Sequence, residues 1–184
     1  MEISFDNYSL APIQEKDAWR LCNFVVANED YLKDYFPQTL QANSTPTLAA
    51  LFVTKKERQF LANEEYLFTL KENENRTIVG LIYVKELYKA EGQGELAYCI
   101  GYPYYGKGIT TKMVRHIIKW CFTKTALNLL QIIVHPSNEA SKKIAKKCGF
   151  TFQRILPKEH EMANKEMADM LLYERSKDQE KATT

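Results

Sequence analysis

The feature that most constrains this chain is the stretch Glu95–Phe122, where a strand pattern runs through a glycine-containing loop into a helix pattern. Residues Glu95–Ile100 form the short apolar run of a buried strand, and the loop Tyr105–Thr110 follows. Beyond the loop, apolar residues recur at helical spacing, at Met113, Val114, Ile117, Ile118, Cys121 and Phe122, while Lys112, Arg115, His116 and Lys119 lie away from them. We therefore predict a strand, a loop and a helix with one broad apolar face.

The loop has the parts of a phosphate-binding site. The first N–H groups of a helix have no partner within the helix, and the macrodipole makes that end positive. Gly106 and Gly108 allow the backbone to approach a ligand with no Cβ in the way. A plain strand-to-helix turn with two glycines is the alternative interpretation, since short glycine motifs are weak evidence.

A nucleotide-binding P-loop is a second interpretation of the same stretch. Gly101–Lys107 fits most of that pattern, but Gly108 stands where a Ser or Thr must reach Mg²⁺. The later apolar run Leu129–Val134 is followed by His135 rather than by an Asp that would hold the metal. Mg²⁺-dependent ATP binding would favour this alternative. The other reading needs no metal, because backbone amides hold a diphosphate.

A second signature lies downstream of the loop. Asn138–Ser141 reads Asn-Glu-Ala-Ser, and Lys147–Phe150 reads Lys-Cys-Gly-Phe. With the loop, these residues give the order and spacing by which residues 95–150 resemble the GCN5-related N-acetyltransferases (GNAT), within them the branch that acetylates ribosomal protein N-termini. Gly106, Lys107, Gly108 and Thr111 match that branch's Gly-Lys-Gly-x-x-Thr. Three departures from the family's pattern are Tyr105 for Gln or Arg, Thr110 for Gly or Ala, and Lys112 for Glu.

The resemblance implies an α/β GNAT fold. Its central sheet is mixed and mostly antiparallel, with about seven strands, a splayed parallel pair and helices on both faces. Here the parallel pair would be Glu95–Ile100 and Leu129–Val134, joined by a helix of crossover length. We expect a single domain over residues 1–175 and a polar, frayed tail over 176–184.

The resemblance also implies a cofactor site for acetyl-CoA. Main-chain groups of Cys99 and Ile100 would bind the pantetheine arm. The diphosphate would sit on the loop residues Tyr105, Gly106, Lys107, Gly108, Ile109 and Thr110. Asn138 would contact the arm, although an ordinary N-cap role is an equal alternative.

Three side chains are the catalytic candidates that the resemblance implies. Glu95 would take the amine proton, often through water, and its alternative is a solvated charge at the start of a strand. Ser141 would protonate the leaving thiolate, and its alternative is hydrogen bonding at a helix start. Tyr98 is a second candidate proton donor, and its alternative is packing. Four lysines at 142, 143, 146 and 147 make one helix basic, which is typical of a solvated face.

The remaining elements follow from apolar periodicity and turn residues. We predict one strand over 3–11, a helix over Glu15–Ala27, a helix over Glu29–Phe36 that Pro37 stops, and a polar loop over Gln38–Pro46. A helix from Pro46 or Thr47 to Leu61 would have Leu48, Leu51, Phe52 and Phe60 inward, and strands would follow over Tyr66–Lys71 and Arg76–Leu87. The continuous apolar run Leu129–Val134 predicts a strand buried on both faces, and a helix from Asn138 to Lys147 would end at Gly149 as its C′ residue. Strands over Phe150–Leu156 and Glu166–Glu174 would be joined by a polar loop containing Pro157.

Composition limits the class of protein. With 184 residues, 45% hydrophobic and 26% charged, the chain is typical of one globular domain. A net charge of +2 is too small to indicate nucleic-acid binding. The four cysteines and three histidines are scattered, so we expect no metal site. Neither a signal peptide nor a membrane span is recognisable, and we expect a cytoplasmic protein.

Together these observations predict an acetyl-CoA-dependent N-acetyltransferase that acts on a primary amine. The branch resemblance favours the α-amino group of a protein or peptide. A polyamine or aminoglycoside acceptor and a non-catalytic acyl-CoA-binding protein are the alternatives. We expect no partner nucleic acid or membrane, and either a monomer or a homodimer.

Overall fold

A computed structural model describes residues 2–88, 91–161 and 165–181 as eight strands and seven α-helices. The strands are β1 (Ile3–Phe5), β2 (Tyr8–Pro12), β3 (Tyr66–Glu72), β4 (Ile78–Tyr88), β5 (Gln93–Ile100), β6 (Leu129–Val134), β7 (Thr151–Glu161) and β8 (Met167–Ser176). The helices are α1 (Ala18–Ala27), α2 (Glu29–Tyr35), α3 (Pro37–Ala42), α4 (Pro46–Leu61), α5 (Ile109–Lys124), α6 (Glu139–Lys147) and α7 (Lys177–Lys181).

The strands form one mixed sheet in the order β1-β2-β3-β4-β5-β6-β8-β7. Strands β5 and β6 are the parallel pair, whereas β6 with β8 and β7 with β8 are antiparallel. The predicted α/β architecture, a mixed sheet with one parallel pair, is therefore confirmed. The sheet has one strand more than the seven expected, because residues 3–11 are a hairpin rather than one strand. Its turn places Asp6 at φ 48°, a conformation that Asp adopts more readily than most residues.

Packing divides the chain into two compact units. The first consists of Met1–Tyr83 and Tyr98–Ile109, and the second of Val84–Ala97 and Thr110–Thr184. Fully buried side chains in the first unit include Leu10, Leu21, Phe68 and Leu70. In the second unit the predicted apolar face of α5 is confirmed, since Met113, Val114, Ile117, Ile118, Cys121 and Phe122 are all buried.

Strand β6 differs from the prediction of a strand buried on both faces. Leu130, Ile132 and Val134 are buried, whereas the alternate residues Leu129, Gln131 and Ile133 are partly exposed. This period of two is the pattern of a strand with one covered face. A run of apolar residues alone does not distinguish the two cases.

The helical region of the first unit was only partly predicted. The helix predicted over Glu29–Phe36 ends at Tyr35, before Pro37 as expected, but Pro37 itself begins α3, because a proline at the first helical position loses no helical hydrogen bond. Much of the predicted loop Gln38–Pro46 is therefore helical. The bounds of α4 agree with the prediction, but its inward residues are Ala49 and Val53, while Leu48 and Leu51 are exposed.

The C-terminal strand pair is confirmed, with longer strands than expected. Pro157 lies inside β7 rather than in a loop, next to an irregularity in the β7–β8 register between Leu156 and His160. Strand β7 is at the edge of the sheet, where a residue without an N–H is tolerated. The predicted tail begins with the end of β8 and α7, and its last residues, 182–184, lie outside the described residues, as do 162–164 of the predicted loop.

Three further observations concern the described part of the chain. The cysteines Cys22, Cys99, Cys121 and Cys148 are all free and buried. Residues 2–88, 91–161 and 165–181 contain no group of three or more His, Cys, Asp or Glu side chains placed to hold a metal ion. Over the same ranges, the helices are too short or too polar to cross a membrane.

An ion pair between Lys71 and Asp17 lies inside the first unit and gives a stability prediction. The Lys71 Nζ to Asp17 Oδ2 distance is 2.7 Å, and both side chains are at most 3% exposed. Lys71→Met would leave a buried carboxylate without its cation. We expect the free energy of unfolding to fall by about 3–5 kcal/mol in urea denaturation.

The exposed pair Lys33–Asp30 supplies the matched control. Lys33→Met removes a cation of the same type at a solvated position, so the urea midpoint should stay within error of the wild type. Equal midpoints for Lys71→Met and Lys33→Met would contradict a stabilising role for the buried pair.

Candidate active site

The loop between β5 and α5 has a backbone that only glycine adopts easily. A 3₁₀ turn at Tyr102–Tyr104 leads into it, and α5 begins at Ile109. Gly106 and Gly108 have φ angles of 73° and 76°. In this left-handed region a side chain is strained, so the two glycines set the course of the chain into the helix.

Packing of the protein does not explain the missing side chains. A Cβ atom built on Gly106 or Gly108 would meet no heavy atom within 4 Å. On Gly80, by contrast, it would lie 3.0 Å from the Cys99 carbonyl oxygen. The loop therefore has glycines with open space above them at the positive end of a 16-residue helix, an arrangement that can accept an anion.

Asn28 and Tyr31, in the helical region of the first unit, hold the loop through contacts that the sequence analysis did not predict. Asn28 Oδ1 accepts the Tyr102 amide N–H at 3.0 Å, and Asn28 Nδ2 donates to the Phe24 carbonyl at 2.7 Å. The hydroxyls of Tyr31 and Tyr105 are 2.7 Å apart, with the rings nearly perpendicular. The Asn28–Tyr102 and Tyr31–Tyr105 contacts each join residues 74 positions apart, so no local motif could have revealed them.

The contact between the two hydroxyls bears on the protonation of Tyr31, and the loop residues Tyr105 and Lys107 make further contacts. Burial, and then the hydrogen bond to Tyr105, raise the pKa of Tyr31, so the Tyr31 phenol remains protonated at neutral pH. The Tyr105 amide N–H is already donated to the Tyr102 carbonyl at 3.1 Å. Lys107 is exposed, with its Nζ 5.8 Å from the centre of the Tyr104 ring.

The end of β5 is well covered. Cys99 and Ile100 are buried, while Tyr98 is half-buried. Burial raises the pKa of the Cys99 thiol to about 12, so this thiol is neutral and not a nucleophile at neutral pH. Cys99 could contribute to a site through its main chain, as expected from the sequence.

Glu95 is not at the start of its strand, contrary to the expectation, because β5 begins at Gln93. Its side chain is only 13% exposed, and its Oε1 lies 3.1 Å from Nζ of Lys85 on β4. Burial raises the pKa of Glu95, and Lys85 opposes that rise. The solvated strand-start alternative is therefore wrong, and Glu95 is a covered carboxylate with a cation beside it.

The parallel ladder next to Glu95 is short. Its registered pairs are Gln93–Leu129, Gly94–Leu130 and Glu95–Gln131. Beyond the last pair, β5 continues for five residues to Ile100, and β6 continues to Val134 in antiparallel pairing with β8. Glu95 thus occupies the last registered pair of the parallel strands.

Asn138 and Ser141 are joined at the start of α6. Asn138 is the N-cap residue, and its Oδ1 accepts the Ser141 backbone N–H at 3.0 Å. The N-cap alternative for Asn138 is therefore confirmed. Ser141 lies in the first turn of the helix and is partly buried.

The other end of α6 explains the Gly-Phe signature. Gly149 has φ 78° and follows the helix C-cap as a left-handed residue, as predicted. Its missing side chain leaves room for Arg175, which donates to the Cys148 carbonyl, while Arg115 donates to the Lys147 carbonyl at 2.9 Å. These guanidinium groups satisfy carbonyls at the negative end of α6 and hold the helix that carries Ser141.

The candidate residues divide between the two compact units. The first unit contains Tyr98, Cys99 and Ile100 together with Tyr105, Gly106, Lys107, Gly108 and Ile109. The second contains Glu95, Thr110, Asn138 and Ser141. Within the second unit, Asn138 and Ser141 are joined by a hydrogen bond.

Comparison with known protein families agrees with the fold. Residues 8–151 match the model of the acetyltransferase (GNAT) domain, which is most of the chain. The chain belongs to this family and is an N-acetyltransferase. The resemblance inferred from the loop and the downstream signature is confirmed.

Individual relatives are distant in sequence. A Bacillus subtilis (strain 168) protein named "Putative ribosomal N-acetyltransferase YdaF" is 24% identical over 146 residues, covering 79% of this chain and 78% of its own. The crystal structure of ribosomal-protein-S5-alanine acetyltransferase from Vibrio fischeri has a TM-score of 0.91 at 22% identity, covering 97% of each chain. RimL, a ribosomal L7/L12 α-N-protein acetyltransferase solved with coenzyme A, has a TM-score of 0.86 at 14% identity, covering 96% of this chain and 98% of its own.

The cap of α6 gives a prediction about stability. Asn138→Ala removes the acceptor of the Ser141 N–H and should lower the free energy of unfolding by about 1 kcal/mol. Asn138→Asp keeps an equivalent oxygen and should retain wild-type stability in the same urea titration. Equal losses for the two variants would contradict the capping role.

Proposed function

We propose that this protein transfers the acetyl group of acetyl-CoA to a primary amine, and that the acceptor is the α-amino group of a protein or peptide. The observation that carries the cofactor part is the pair of left-handed glycines, open at their Cβ positions, at the start of α5. The family and the CoA-bound relative support acetyl-CoA as the co-substrate. The α-amino acceptor rests on the names of the ribosomal-protein relatives and on the chemistry below.

The diphosphate of acetyl-CoA would bind to backbone amides of the loop. The Tyr105 N–H is engaged with Tyr102, so we assign this role to the amides of Gly106, Lys107, Gly108, Ile109 and Thr110. Contacts of this kind do not depend on side chains, so Tyr105 and Thr110 are compatible with binding although they depart from the family's pattern. Main-chain groups of Cys99 and Ile100 would bind the pantetheine arm, and Asn138 would contact the arm with its amide nitrogen, since its Oδ1 caps α6.

The chemical step is a direct acyl transfer. The neutral amine nitrogen attacks the thioester carbonyl carbon, the new C–N bond forms, and the C–S bond breaks. The amine loses one proton and the leaving thiolate gains one. The protein must therefore position the amine beside the thioester and supply a path for two proton transfers.

Glu95 is the group we assign to the amine proton. Its burial raises its pKa, which makes it a stronger base than a solvated carboxylate, and Lys85 favours its ionised form. Ser141, in the first turn of α6, is the group we assign to the thiolate. Tyr98 is the second candidate for that role, and its half-buried position on β5 is compatible with it.

The α-amino acceptor also follows from the strength of the base. An α-amino group has a reference pKa of about 7.7–8.0, compared with about 10.4 for a lysine side chain. A fair fraction of α-amines is already neutral at pH 7, so a carboxylate acting through water is sufficient. Localisation in the cytoplasm and a monomeric or homodimeric state remain predictions from the sequence.

A polyamine acceptor is the alternative with a structural observation in its favour. Helix α2 carries the carboxylates Glu29, Asp30 and Asp34 in the same unit as the loop. Such a cluster would attract a polycation, but Asp30 is fully exposed and already paired with Lys33 at 2.7 Å. We therefore favour the α-amine.

Acetyl-CoA binding is tested most simply at Gly108. Gly108→Val places a branched side chain in the open space of the loop and strains its left-handed backbone. We expect acetyl-CoA affinity to fall tenfold or more in calorimetric titration, which is about 1.4 kcal/mol. Lys165→Val is the control, because Lys165 also has a positive φ, 64°, but lies outside the loop, and its affinity should equal that of the wild type. Unchanged affinity in Gly108→Val would remove the loop from the site.

The acceptor is tested by product analysis. The enzyme and acetyl-CoA are incubated with a peptide library with free N-termini, a matched library with blocked N-termini and free lysines, spermidine and an aminoglycoside. Mass spectrometry should find acetylation at the α-amino group of free-N-terminus peptides. Acetylation of spermidine or the aminoglycoside alone would overturn the protein acceptor and leave the acetyltransferase intact. Acetyl-CoA binding without any product would favour a non-catalytic acyl-CoA-binding protein.

A further inference from the structure

The ion pair between Lys85 and Glu95 has a place in the mechanism beyond the roles assigned above. The two residues lie on the neighbouring strands β4 and β5, with Lys85 Nζ 3.1 Å from Glu95 Oε1. Glu95 is 13% exposed and Lys85 35%, so the carboxylate is the more covered partner. An ammonium group at this distance orients the carboxylate and favours its ionised form.

The neighbours of Glu95 on the parallel ladder do not supply a cation. Its registered partner on β6 is Gln131, whose Nε2 donates to Oε1 of Glu174 on β8 at 2.8 Å. That amide nitrogen is directed at another carboxylate. Gln131 is uncharged, and the next side chain across the sheet, Glu174, is acidic.

The other charges that act on Glu95 are negative. Glu86 on β4 and Glu159 on β7 both raise the pKa of Glu95, in the same direction as its burial. Among the influences on Glu95 that the structure describes, Lys85 is the group that lowers the pKa, by charge and by hydrogen bond. If Lys85 were neutral, burial and both acidic neighbours would favour the protonated carboxyl, which cannot accept a proton.

We propose that Lys85 is a positioning residue that keeps Glu95 ionised and oriented, and that it thereby sets the lower pH limit of acetyl transfer. The inference rests on the proposed function, because it assigns to Glu95 the proton of the acceptor amine. Only ionised Glu95 is active, so activity is lost as the pH falls through the pKa of Glu95. A higher pKa moves that loss to higher pH. Protonation of the acceptor amine lowers activity as well, but by the same factor in every variant.

The experiment compares pH profiles of kcat/KM for the wild type, Lys85→Met and Lys85→Arg. Lys85→Met removes the charge and keeps an unbranched side chain, and we expect the acid limb to move up by about one pH unit, the low end for loss of a close opposite charge because Lys85 is partly exposed. At pH values well below the pKa of Glu95, kcat/KM of Lys85→Met should be about tenfold lower than that of the wild type. Lys85→Arg should restore the wild-type profile. Lys124→Met, which removes an exposed cation near the end of α5, should leave the profile unchanged.

A second readout makes failure of the inference distinct from failure of the proposed function. The carboxyl carbon of Glu95, assigned with the Glu95→Gln variant, is titrated by NMR in the wild type and in Lys85→Met. A rise in its pKa together with a shifted acid limb supports the proposal. An unchanged Glu95 pKa overturns the role of Lys85 and leaves the proposed function standing. A raised Glu95 pKa with an unmoved acid limb overturns Glu95 as the proton acceptor.

Discussion

The left-handed backbone at Gly106 and Gly108 is the constraint on which the account of this protein depends. It brings the chain from β5 into α5 so that the loop leads directly to the positive end of the helix. Any other residue would be strained at these φ angles, and any side chain would occupy the space that the structure leaves open. The proposal that the loop holds the diphosphate of acetyl-CoA rests on this open space and on the match to the acetyltransferase (GNAT) domain.

The loop owes its position to contacts from outside the motif. Asn28 accepts a hydrogen bond from the Tyr102 amide, and the Tyr31 hydroxyl bonds to that of Tyr105. The start of α2 therefore holds the loop in place. Tyr105 replaces the family's usual polar residue, and its phenol bonds to Tyr31. The change of residue therefore has a structural partner in this chain and is not an isolated substitution.

In the second unit, polar contacts hold α6 and the Glu95 side chain. At α6, guanidinium groups of Arg115 and Arg175 satisfy carbonyls at the helix end, while Asn138 caps its start beside Ser141. At β5, Lys85 opposes the effect of burial on Glu95. Glu95 is thus held through its side chain and Ser141 through its backbone N–H.

The sequence predicted the elements whose signals are local. The apolar stripe of α5, the cap at Asn138 and the left-handed Gly149 depend on spacings of a few residues, and all three are confirmed. The loop predicted over Gln38–Pro46 was wrong because the proline that ends one helix also begins the next, and the loop predicted around Pro157 was wrong because an edge strand tolerates proline. The partners Asn28, Tyr31 and Lys85 could not be predicted, since pairing across the fold leaves no periodic trace in a single sequence.

The central claim is that the backbone amides at the start of α5 bind the diphosphate of acetyl-CoA, and amide NMR tests it most directly. Titration of the ¹⁵N-labelled protein with CoA should shift the N–H resonances of Gly106, Lys107, Gly108 and Ile109 in a saturable manner. Pantetheine, which lacks the diphosphate, should leave these resonances in place. Saturable CoA binding with unshifted amides in this loop would contradict the account.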